Sequence, residues 1–280
     1  MFTKTKNISI IGVPSDLGAN TTGSRLGPDA IRIAGIHKAL KNLGYNTTDL
    51  GNISINQTLS TEDQNGNNLK EITNINKQLF DHCKQSITSG SIPLTLGGDH
   101  SLAIGSVAAS AAVRPNLGLI WIDTHADINN PYSSHTQNIH GMPVSTLLHN
   151  GFPELIDLVK TKLSPSKIVI IGLRDIDSEE KKILTDSGIH YFTMRDVDEL
   201  GIQNVFKKAK ELMIDKVDAL HVSFDLDVMD PIVIPAVSTP VHGGLTLREA
   251  YLLLELIYET EKVIAVDFVE LNPMNDIKGC

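Results

Sequence analysis

Three short segments of this 280-residue chain carry the side chains that bind divalent metal ions in proteins. Segments 97–100, 123–127 and 225–227 read Gly-Gly-Asp-His, Asp-Thr-His-Ala-Asp and Asp-Leu-Asp. In an extended chain, residues two positions apart point to the same face, so Asp123 converges with His125, and Asp225 with Asp227. If the segments meet, two imidazoles and four carboxylates share one crevice. The candidate ligands are His100, Asp123, His125, Asp127, Asp225 and Asp227.

These six side chains predict a centre with two metal ions. Four carboxylates in one crevice raise one another's pKa and cannot all stay ionised unless cations neutralise them. Carboxylates and imidazoles without a thiolate favour manganese, with iron, cobalt or nickel as alternatives. Six ligands are too many for one ion with an open position, whereas two ions that share bridging carboxylates supply hydroxide at neutral pH. The expected chemistry is therefore metal-assisted hydrolysis.

Each segment also has a simpler interpretation. Asp-x-His-x-Asp can be a polar turn, Asp-x-Asp at a strand end often caps a helix, and Asp99 could merely cap the helix that follows it. The combination favours the metal site, because all three segments directly follow apolar runs. In an open parallel sheet, ligands collect beyond the carboxyl ends of the strands.

Apolar, β-branched runs that alternate with amphipathic segments position these residues. The predicted strands are 8–13, 45–50, 92–96, 117–123, 168–173, 189–193, 219–225 and 263–269. Apolar spacing predicts a helix over 69–87, and an early Pro with Gly44 at the end predicts another over 28–43. The alternation predicts an α/β protein with a three-layer αβα doubly wound fold and a mostly parallel eight-stranded sheet. Residues 1–280 are expected to form a single domain, with a surface loop over 51–68.

Composition disfavours several classes of partner. The chain has 24 Lys and Arg against 33 Asp and Glu, a formal charge of −9, which disfavours nucleic acid and anionic membrane as partners. Cys83 and Cys280 cannot build a disulfide framework or a thiolate metal site, which favours a reducing cytoplasm. No apolar run approaches the ~18 residues that cross a bilayer, and the N-terminus lacks a signal-peptide pattern. The expected partner is a small molecule.

In this order, the three segments resemble the metal signatures of the ureohydrolase family, which includes arginases and agmatinases. They extend to Gly-Gly-Asp-His-Ser at 97–101 and Ser-Phe-Asp-x-Asp-x-x-Asp-Pro at 223–231. Further motifs resemble those of arginases most. These include Gly-Val-Pro-Ser-Asp-Leu-Gly-Ala at 12–19, Asn-Ile-His-Gly-Met-Pro at 138–143, Gly-Leu-Arg-Asp-Ile-Asp at 172–177, Thr-Pro-Val-His-Gly-Gly-Leu-Thr at 239–246 and Glu-Leu-Asn-Pro at 270–273.

The resemblance implies hydrolysis of L-arginine to L-ornithine and urea by two Mn²⁺ ions, with Co²⁺, Ni²⁺ or Fe²⁺ as alternatives. It implies that Asp123 and Asp225 bridge the ions. The remaining ligands divide into His100 and Asp127 for one ion, and His125 and Asp227 for the other.

The resemblance also implies roles in catalysis and substrate binding. Asp127 would move a proton at the reacting centre, His140 would pass protons to solvent, and Glu270 would pair with the guanidinium group. The implied substrate-binding residues are Asn129, Thr136, Asn138, Asp177, Glu180, Thr239 and Glu270. Such residues are also common in turns and caps, and a loop histidine is often only a surface residue.

Two departures from the family pattern concern a loop and the chain end. The loop before Ile-His-Gly usually reads Ser-Gly-Asn, whereas here Gln137 replaces the glycine, so the loop is expected to be reshaped. The family normally continues past Glu-Leu-Asn-Pro with another helix, and this chain is expected to lack it. Because family arginases form trimers or hexamers, a homo-oligomer is expected if the C-terminus is intact.

Three functions remain open from the sequence. The first is arginase, the second is agmatinase or another guanidino-compound amidinohydrolase, and the third is a non-catalytic binding protein on the same scaffold. The first two differ in whether the substrate's α-carboxylate is recognised. The presence of all six candidate ligands disfavours the third.

Overall fold

A single sheet organises the part of the chain that the computed structural model describes, residues 6–55 and 68–276. Its strands are β1 (Asn7–Val13), β2 (Asn46–Asn52), β3 (Ser91–Gly97), β4 (Leu117–Ile122), β5 (Ile168–Leu173), β6 (His190–Thr193), β7 (Ala219–Asp225) and β8 (Val263–Val269). They lie in the order β2-β1-β3-β8-β7-β4-β5-β6, and each neighbouring pair is parallel. The expected eight-stranded α/β sheet is confirmed.

Helices connect the strands. The α-helices are α1 (Gly27–Ile33), α2 (Ile36–Asn42), α3 (Leu69–Thr88), α4 (Ala103–Val113), α5 (Pro143–Leu147), α6 (Pro153–Ile156), α7 (Ser178–Ser187), α8 (Met194–Leu200), α9 (Ile202–Leu212) and α10 (Leu247–Tyr258). Short 3₁₀ helices span Ser24–Leu26, His100–Leu102, Ile139–Gly141, Pro165–Lys167, Ile214–Lys216, Leu226–Val228 and Pro273–Asn275.

Alternate side chains of the central strands pack against different helical layers. Leu119 and Trp121 of β4 belong to a buried cluster that includes residues of α3 and α4. Ile120 and Ile122 belong to another, which includes residues of α9 and α10. Because side chains alternate along a strand, both faces of β4 are buried, and the run is apolar throughout. This arrangement gives the expected three αβα layers.

The helix predicted over 28–43 is wrong as one element. It is divided into α1 and α2, and Gly35 between them has φ +97°. Because an α-helix requires negative φ, the chain turns at this glycine. The helix predicted over 69–87 is confirmed by α3, which is one residue longer.

The strand order brings the predicted site segments together. In the sheet, β3, β8, β7 and β4 are successive neighbours. Since these strands are parallel, the segments that follow them emerge along one edge. Residues 98–100, 123–127, 226–227 and 270 therefore meet beyond the carboxyl ends of four adjacent strands.

Some expectations concern residues outside the described ranges. The loop predicted over 51–68 falls mostly on residues 56–67, which lie outside them, and its first two residues complete β2. The expectation of a missing C-terminal helix concerns the chain beyond residue 276. Within residues 6–55 and 68–276, no helix combines the length and hydropathy needed to span a membrane.

Candidate metal centre

His100 lies at the start of a 3₁₀ helix directly after β3. Asp99 caps this helix, since its Oδ1 accepts a hydrogen bond from the Ser101 N–H at 3.0 Å. The His100 ring is buried and stacks on Trp121, with ring centroids 3.9 Å apart and planes at 6°. Its Nε2 lies 2.7 Å from Ser223 Oγ. These contacts orient the other ring nitrogen, Nδ1, toward the carboxylates.

His100 Nδ1 faces three carboxylates at once. It lies 3.1 Å from Asp123 Oδ2 and 3.2 Å from Asp127 Oδ2. Asp225 Oδ2 is also at 3.1 Å. Despite these distances, Nδ1 is buried and makes no well-aligned hydrogen bond to any described residue. A nitrogen lone pair that converges with carboxylate oxygens in this way fits a metal ligand.

His125 forms a second group beside the first. Its Nδ1 lies 3.1 Å from Asp227 Oδ2 and 3.5 Å from Asp123 Oδ1. Asp227 is fixed by the Thr124 N–H at 3.3 Å and by the Thr239 hydroxyl at 2.9 Å. His125 is the more exposed of the two histidines, with a quarter of its side chain accessible.

Asp123 belongs to both groups. Ligand atoms of His100, Asp123 and Asp127 all lie within 4.8 Å of one another, as do those of Asp123, His125 and Asp227. Asp225 lies on the His100 side, and its Oδ1 accepts the backbone N–H of Asp227 at 2.8 Å. Two adjacent donor sets that share a carboxylate fit two divalent cations.

The local backbone differs from the extended chain assumed from the sequence. β4 ends at Ile122, and Asp127 has φ +48°, so residues 123–127 form a bend and not a continued strand. Asp127 consequently faces His100, while His125 faces Asp227. The prediction that the strand continues to residue 123 is wrong, as is the assumption that side chains alternate regularly beyond it. The candidate ligands nevertheless converge.

The pKa values of the carboxyl groups in this centre follow from burial and crowding. Burial, and then the charge of Asp123, raises the pKa of Asp127 to about 6. Burial and neighbouring carboxylates also raise the pKa of Asp225. Burial opposes ionisation of Asp123 too, but hydrogen bonds with His100 and His125 lower its pKa. Divalent cations would relieve this competition for protons.

A cavity of about 150 Å³ opens onto the centre. Its lining residues are His100, His125, Asp127, Asn129, His140, Gly141, Glu180, Asp225, Asp227, Thr239 and Glu270. Ten of these are predicted site residues, so five of the six candidate metal ligands and four of the seven substrate-binding candidates lie around one space. Asp123 lies behind the wall and is completely buried.

Glu270 and His140 form a pair in this cavity. Glu270 Oε1 accepts the backbone N–H of His100 at 2.9 Å and lies 3.1 Å from His140 Nδ1. Its Oε2 is buried and makes no hydrogen bond to a described residue. Although burial opposes it, the hydrogen bond with Glu270 raises the pKa of His140 to about 9. Glu270 has φ +62°, so the backbone leaves the extended geometry of β8 at this residue.

The remaining substrate-binding candidates fall into two groups. Asn129 lines the cavity and donates to Asp177 Oδ2 at 2.8 Å. Asp177 and Glu180 form a capping box at the start of α7, so the simpler cap interpretation holds for both. Glu180 also lines the cavity, and burial together with Asp127 and Asp177 raises its pKa to about 7.

Thr136 and Asn138 are not among the residues that line the cavity. Thr136 is exposed and accepts the Asn138 N–H at 3.2 Å, as a turn residue would. The neighbouring Gln137 has φ +60°, a conformation more common for glycine. The position therefore keeps a positive φ although glutamine replaces the usual glycine.

Three further residues support the centre and were not assigned roles from the sequence. Trp121 stacks on His100 and donates to Asp123 Oδ2 at 2.9 Å, and Ser223 holds His100 Nε2. Both precede a ligand by two positions on a strand, a signal that could have identified them. Arg174 donates to several backbone carbonyls, including that of Asp227 at 2.7 Å.

Comparisons with known proteins agree with this geometry. The Arginase family model matches residues 6–279. The chain belongs to the arginase family. It is 42% identical to the arginase of Staphylococcus aureus, over 98% of this chain and 93% of that protein.

Solved structures of family members are also similar. The Bacillus caldovelox arginase has a TM-score of 0.94 and 40% identity, and the match covers 98% of this chain and 94% of that one. An Entamoeba histolytica arginase, solved in complex with L-ornithine, has a TM-score of 0.88 and 29% identity, over 99% and 95% of the two chains. The protein is therefore a hydrolase of the arginase family, and the alternative of a non-catalytic binding protein is not supported.

Proposed function

We propose that this hydrolase converts L-arginine and water to L-ornithine and urea with two bound Mn²⁺ ions. The observation that carries the proposal is the pair of donor sets around Asp123, which face one cavity together with an unpaired oxygen of Glu270. The names of the relatives support arginine as the substrate, and the ornithine complex of the Entamoeba histolytica enzyme supports the product.

The metal ligands proposed are those of the two donor sets, with Asp225 as a second shared carboxylate. Oxygen and imidazole donors without thiolate suit Mn²⁺, and Co²⁺, Ni²⁺ or Fe²⁺ remain alternatives. When bound, paired divalent cations lower the pKa of water and so supply hydroxide at neutral pH. The protein would hold the carboxylates together in a buried place, where little water is present to screen the charge of the cations.

Glu270 is proposed to bind the guanidinium group. The buried Oε2 is an acceptor without a donor among the described residues, and a cationic N–H group would satisfy it. Its Oε1 is held by the His100 N–H, so the free oxygen has a defined direction. This contact would fix the planar guanidinium beside the metal centre and orient its carbon for attack.

His140 and Asp127 are proposed to handle protons. Hydrolysis of a guanidinium requires a proton on the leaving amine, and His140 lines the cavity with one fifth of its side chain accessible to solvent. That position allows it to exchange protons with bulk water. Asp127 lines the same cavity, 3.2 Å from His100 Nδ1, and could carry a proton between water and the leaving group.

Asn129, Asp177 and Glu180 are proposed to face the amino-acid end of the substrate. They lie together, since Asn129 donates to Asp177 and Glu180 caps the same helix. Thr136 and Asn138 do not line the cavity, so they would contact the substrate only at the cavity's entrance. Thr239 already donates to Asp227 at 2.9 Å, so its main contribution would be to orient that ligand, with the guanidinium as a neighbour.

Agmatine hydrolysis is the competing function, because agmatine differs from arginine only in lacking the α-carboxylate. The experiment compares urea release from L-arginine and agmatine by protein loaded with Mn²⁺. A higher kcat/KM for arginine is expected, and a preference for agmatine would reject the proposed substrate. Metal analysis of the same preparation should give two Mn²⁺ ions per chain, and a content below one would reject the two-metal centre.

We also propose a cytoplasmic homo-oligomer, a trimer or hexamer. Large apolar side chains such as Ile33 and Leu43 are 87% and 74% exposed, which supports burial against another subunit. Light scattering coupled to gel filtration tests this, and a monomer at micromolar concentration would contradict it.

A further inference from the structure

Gln137 occupies a strained place in the loop beside the cavity. Its φ of +60° is in the left-handed region, where a residue with a Cβ is sterically disfavoured. Such conformations persist only where surrounding contacts hold them, and they concentrate at functional sites. The contacts that hold Gln137 therefore indicate what the loop is built to fix.

Gln137 makes three hydrogen bonds to other residues of the same loop. Its backbone N–H donates to Ser134 Oγ at 3.0 Å. Its Nε2 donates to the carbonyl oxygens of Pro131 at 3.0 Å and Ser134 at 2.8 Å. Because both partners are acceptors, only the amide nitrogen can face them, so the orientation of the side chain is determined.

The loop held by Gln137 is connected to the cavity wall through Ser133. The Ser133 hydroxyl accepts the Asn130 N–H at 3.0 Å and donates to Asn129 Oδ1 at 2.7 Å. The amide nitrogen of Asn129 in turn donates to Asp177 Oδ2 at 2.8 Å. The Asn129 amide is therefore held at both its oxygen and its nitrogen. The contact at the oxygen depends on the position of the 131–134 turn, which carries Ser133.

Gln137 itself is not among the residues that line the cavity, and its amide donors are engaged by the two carbonyls. Any influence on the substrate must therefore pass through the loop. The metal ligands have separate supports, since His100 is held by Trp121 and Ser223. A defect in the loop should consequently affect binding of the substrate's amino-acid end more than the chemical step.

We propose that Gln137 is a positioning residue for recognition of the amino-acid end of the substrate, acting through Ser133 on Asn129. The proposal rests on the proposed function for the identity of the substrate. It assigns to the glutamine amide the task of holding the loop in this strained backbone conformation.

Two variants separate loss of the amide hydrogen bonds from changes in side-chain charge and backbone strain. Gln137→Glu keeps the size of the side chain but cannot donate to the two carbonyls. Gln137→Gly adopts φ +60° without strain and adds no charge, yet also lacks the amide. Tyr132→Ala is the matched control in the same loop, because the Tyr132 side chain is 96% exposed.

Steady-state kinetics with L-arginine, at saturating Mn²⁺, is the first measurement. Both Gln137 variants should raise KM about fivefold to tenfold while kcat stays within about twofold, because a binding contact is loosened and the chemical step is retained. The control should match the wild type. An unchanged KM in either variant, or a fall in kcat with loss of metal, would overturn the proposal.

Hydrogen exchange of the peptide that spans residues 129–138 is the second measurement, and it does not need turnover. Exchange should be faster in both variants than in the wild type and the control, since the loop opens more often without the brace. Equal exchange rates would overturn the proposal. If the wild type releases no urea from arginine, the proposed function fails by itself, and the exchange data still decide whether Gln137 braces the loop.

Discussion

Asp123 is shared by both donor sets, whereas Asp227 belongs only to the set of His125. This difference predicts unequal consequences for the same chemical change. Asp123→Asn should remove a ligand from both cations, while Asp227→Asn should leave the His100 set intact. Because asparagine preserves the size of the side chain, the two substitutions disturb the packing of the buried centre little.

The magnitude can be worked out as a shift of the thermal midpoint on adding Mn²⁺. A ligand at one hundred times its dissociation constant stabilises the native state by about 2.7 kcal/mol. Two such ions contribute about 5 kcal/mol, which for large domains, at roughly 2–4 °C per kcal/mol, raises the midpoint by about 10–20 °C. Asp227→Asn should keep about half of that shift, and Asp123→Asn should keep almost none.

The assay is thermal unfolding of each protein with chelator and with Mn²⁺, so that every variant is compared with its own metal-free state. Asp198→Asn serves as the control, because Asp198 is exposed on α8, and it should show the full shift. Metal analysis of the same samples should give two ions, one ion and none for the wild type, Asp227→Asn and Asp123→Asn. Retention of one tightly bound ion by Asp123→Asn would refute the shared ligand.

Three further predictions follow from other contacts. In cation-free protein, burial opposes protonation of His140, but the hydrogen bond with Glu270 raises its pKa to about 9. Protonated His140 therefore stabilises the fold fully below about pH 6.5, and this contribution is lost as the pH rises through 9. Glu270→Gln should return the His140 pKa toward 6.5 or lower, and an NMR titration that still gives about 9 would contradict this. Arg174→Lys should destabilise the protein by about 2 kcal/mol in urea unfolding, because an ammonium cannot reach the separate carbonyls that the guanidinium binds, and a change within error would reject that role. Asp267→Ala should cost about 3–5 kcal/mol in the same assay, because it leaves the buried His221 without its partner at 2.8 Å, and a cost below about 1 kcal/mol would indicate a dispensable pair.

Most of the sheet could be predicted because its strands are buried on both faces. The run 117–122 is apolar at every position, and a glycine or polar segment bounds most such runs. The break between α1 and α2 was missed because the pattern of apolar residues continues through Gly35, and a glycine inside such a pattern does not by itself reveal the positive φ that ends the first helix.

The candidate metal ligands were predictable from residue types, and their division into two sets from the family resemblance, but the local backbone that orients them was not. Extended geometry would place His125 with Asp123 and Asp127 on one face, yet the bend at Asp127 sends His125 toward Asp227. Aspartate adopts positive φ more often than most residues but still uncommonly, so the residue type alone does not predict the bend. The brace by Gln137 was equally invisible, since its acceptors are backbone carbonyls whose positions exist only once the loop has closed.

Asp127 and Glu270 share the left-handed backbone described above, with φ +48° and +62°. Glycine would enter either position without steric cost, and replacement of a strained residue by glycine can make a fold more heat-resistant. Variants selected for survival of heating in the absence of metal would therefore gain glycine at these two positions and lose turnover. Engineering a durable form of this enzyme requires that every round of screening also measure its activity.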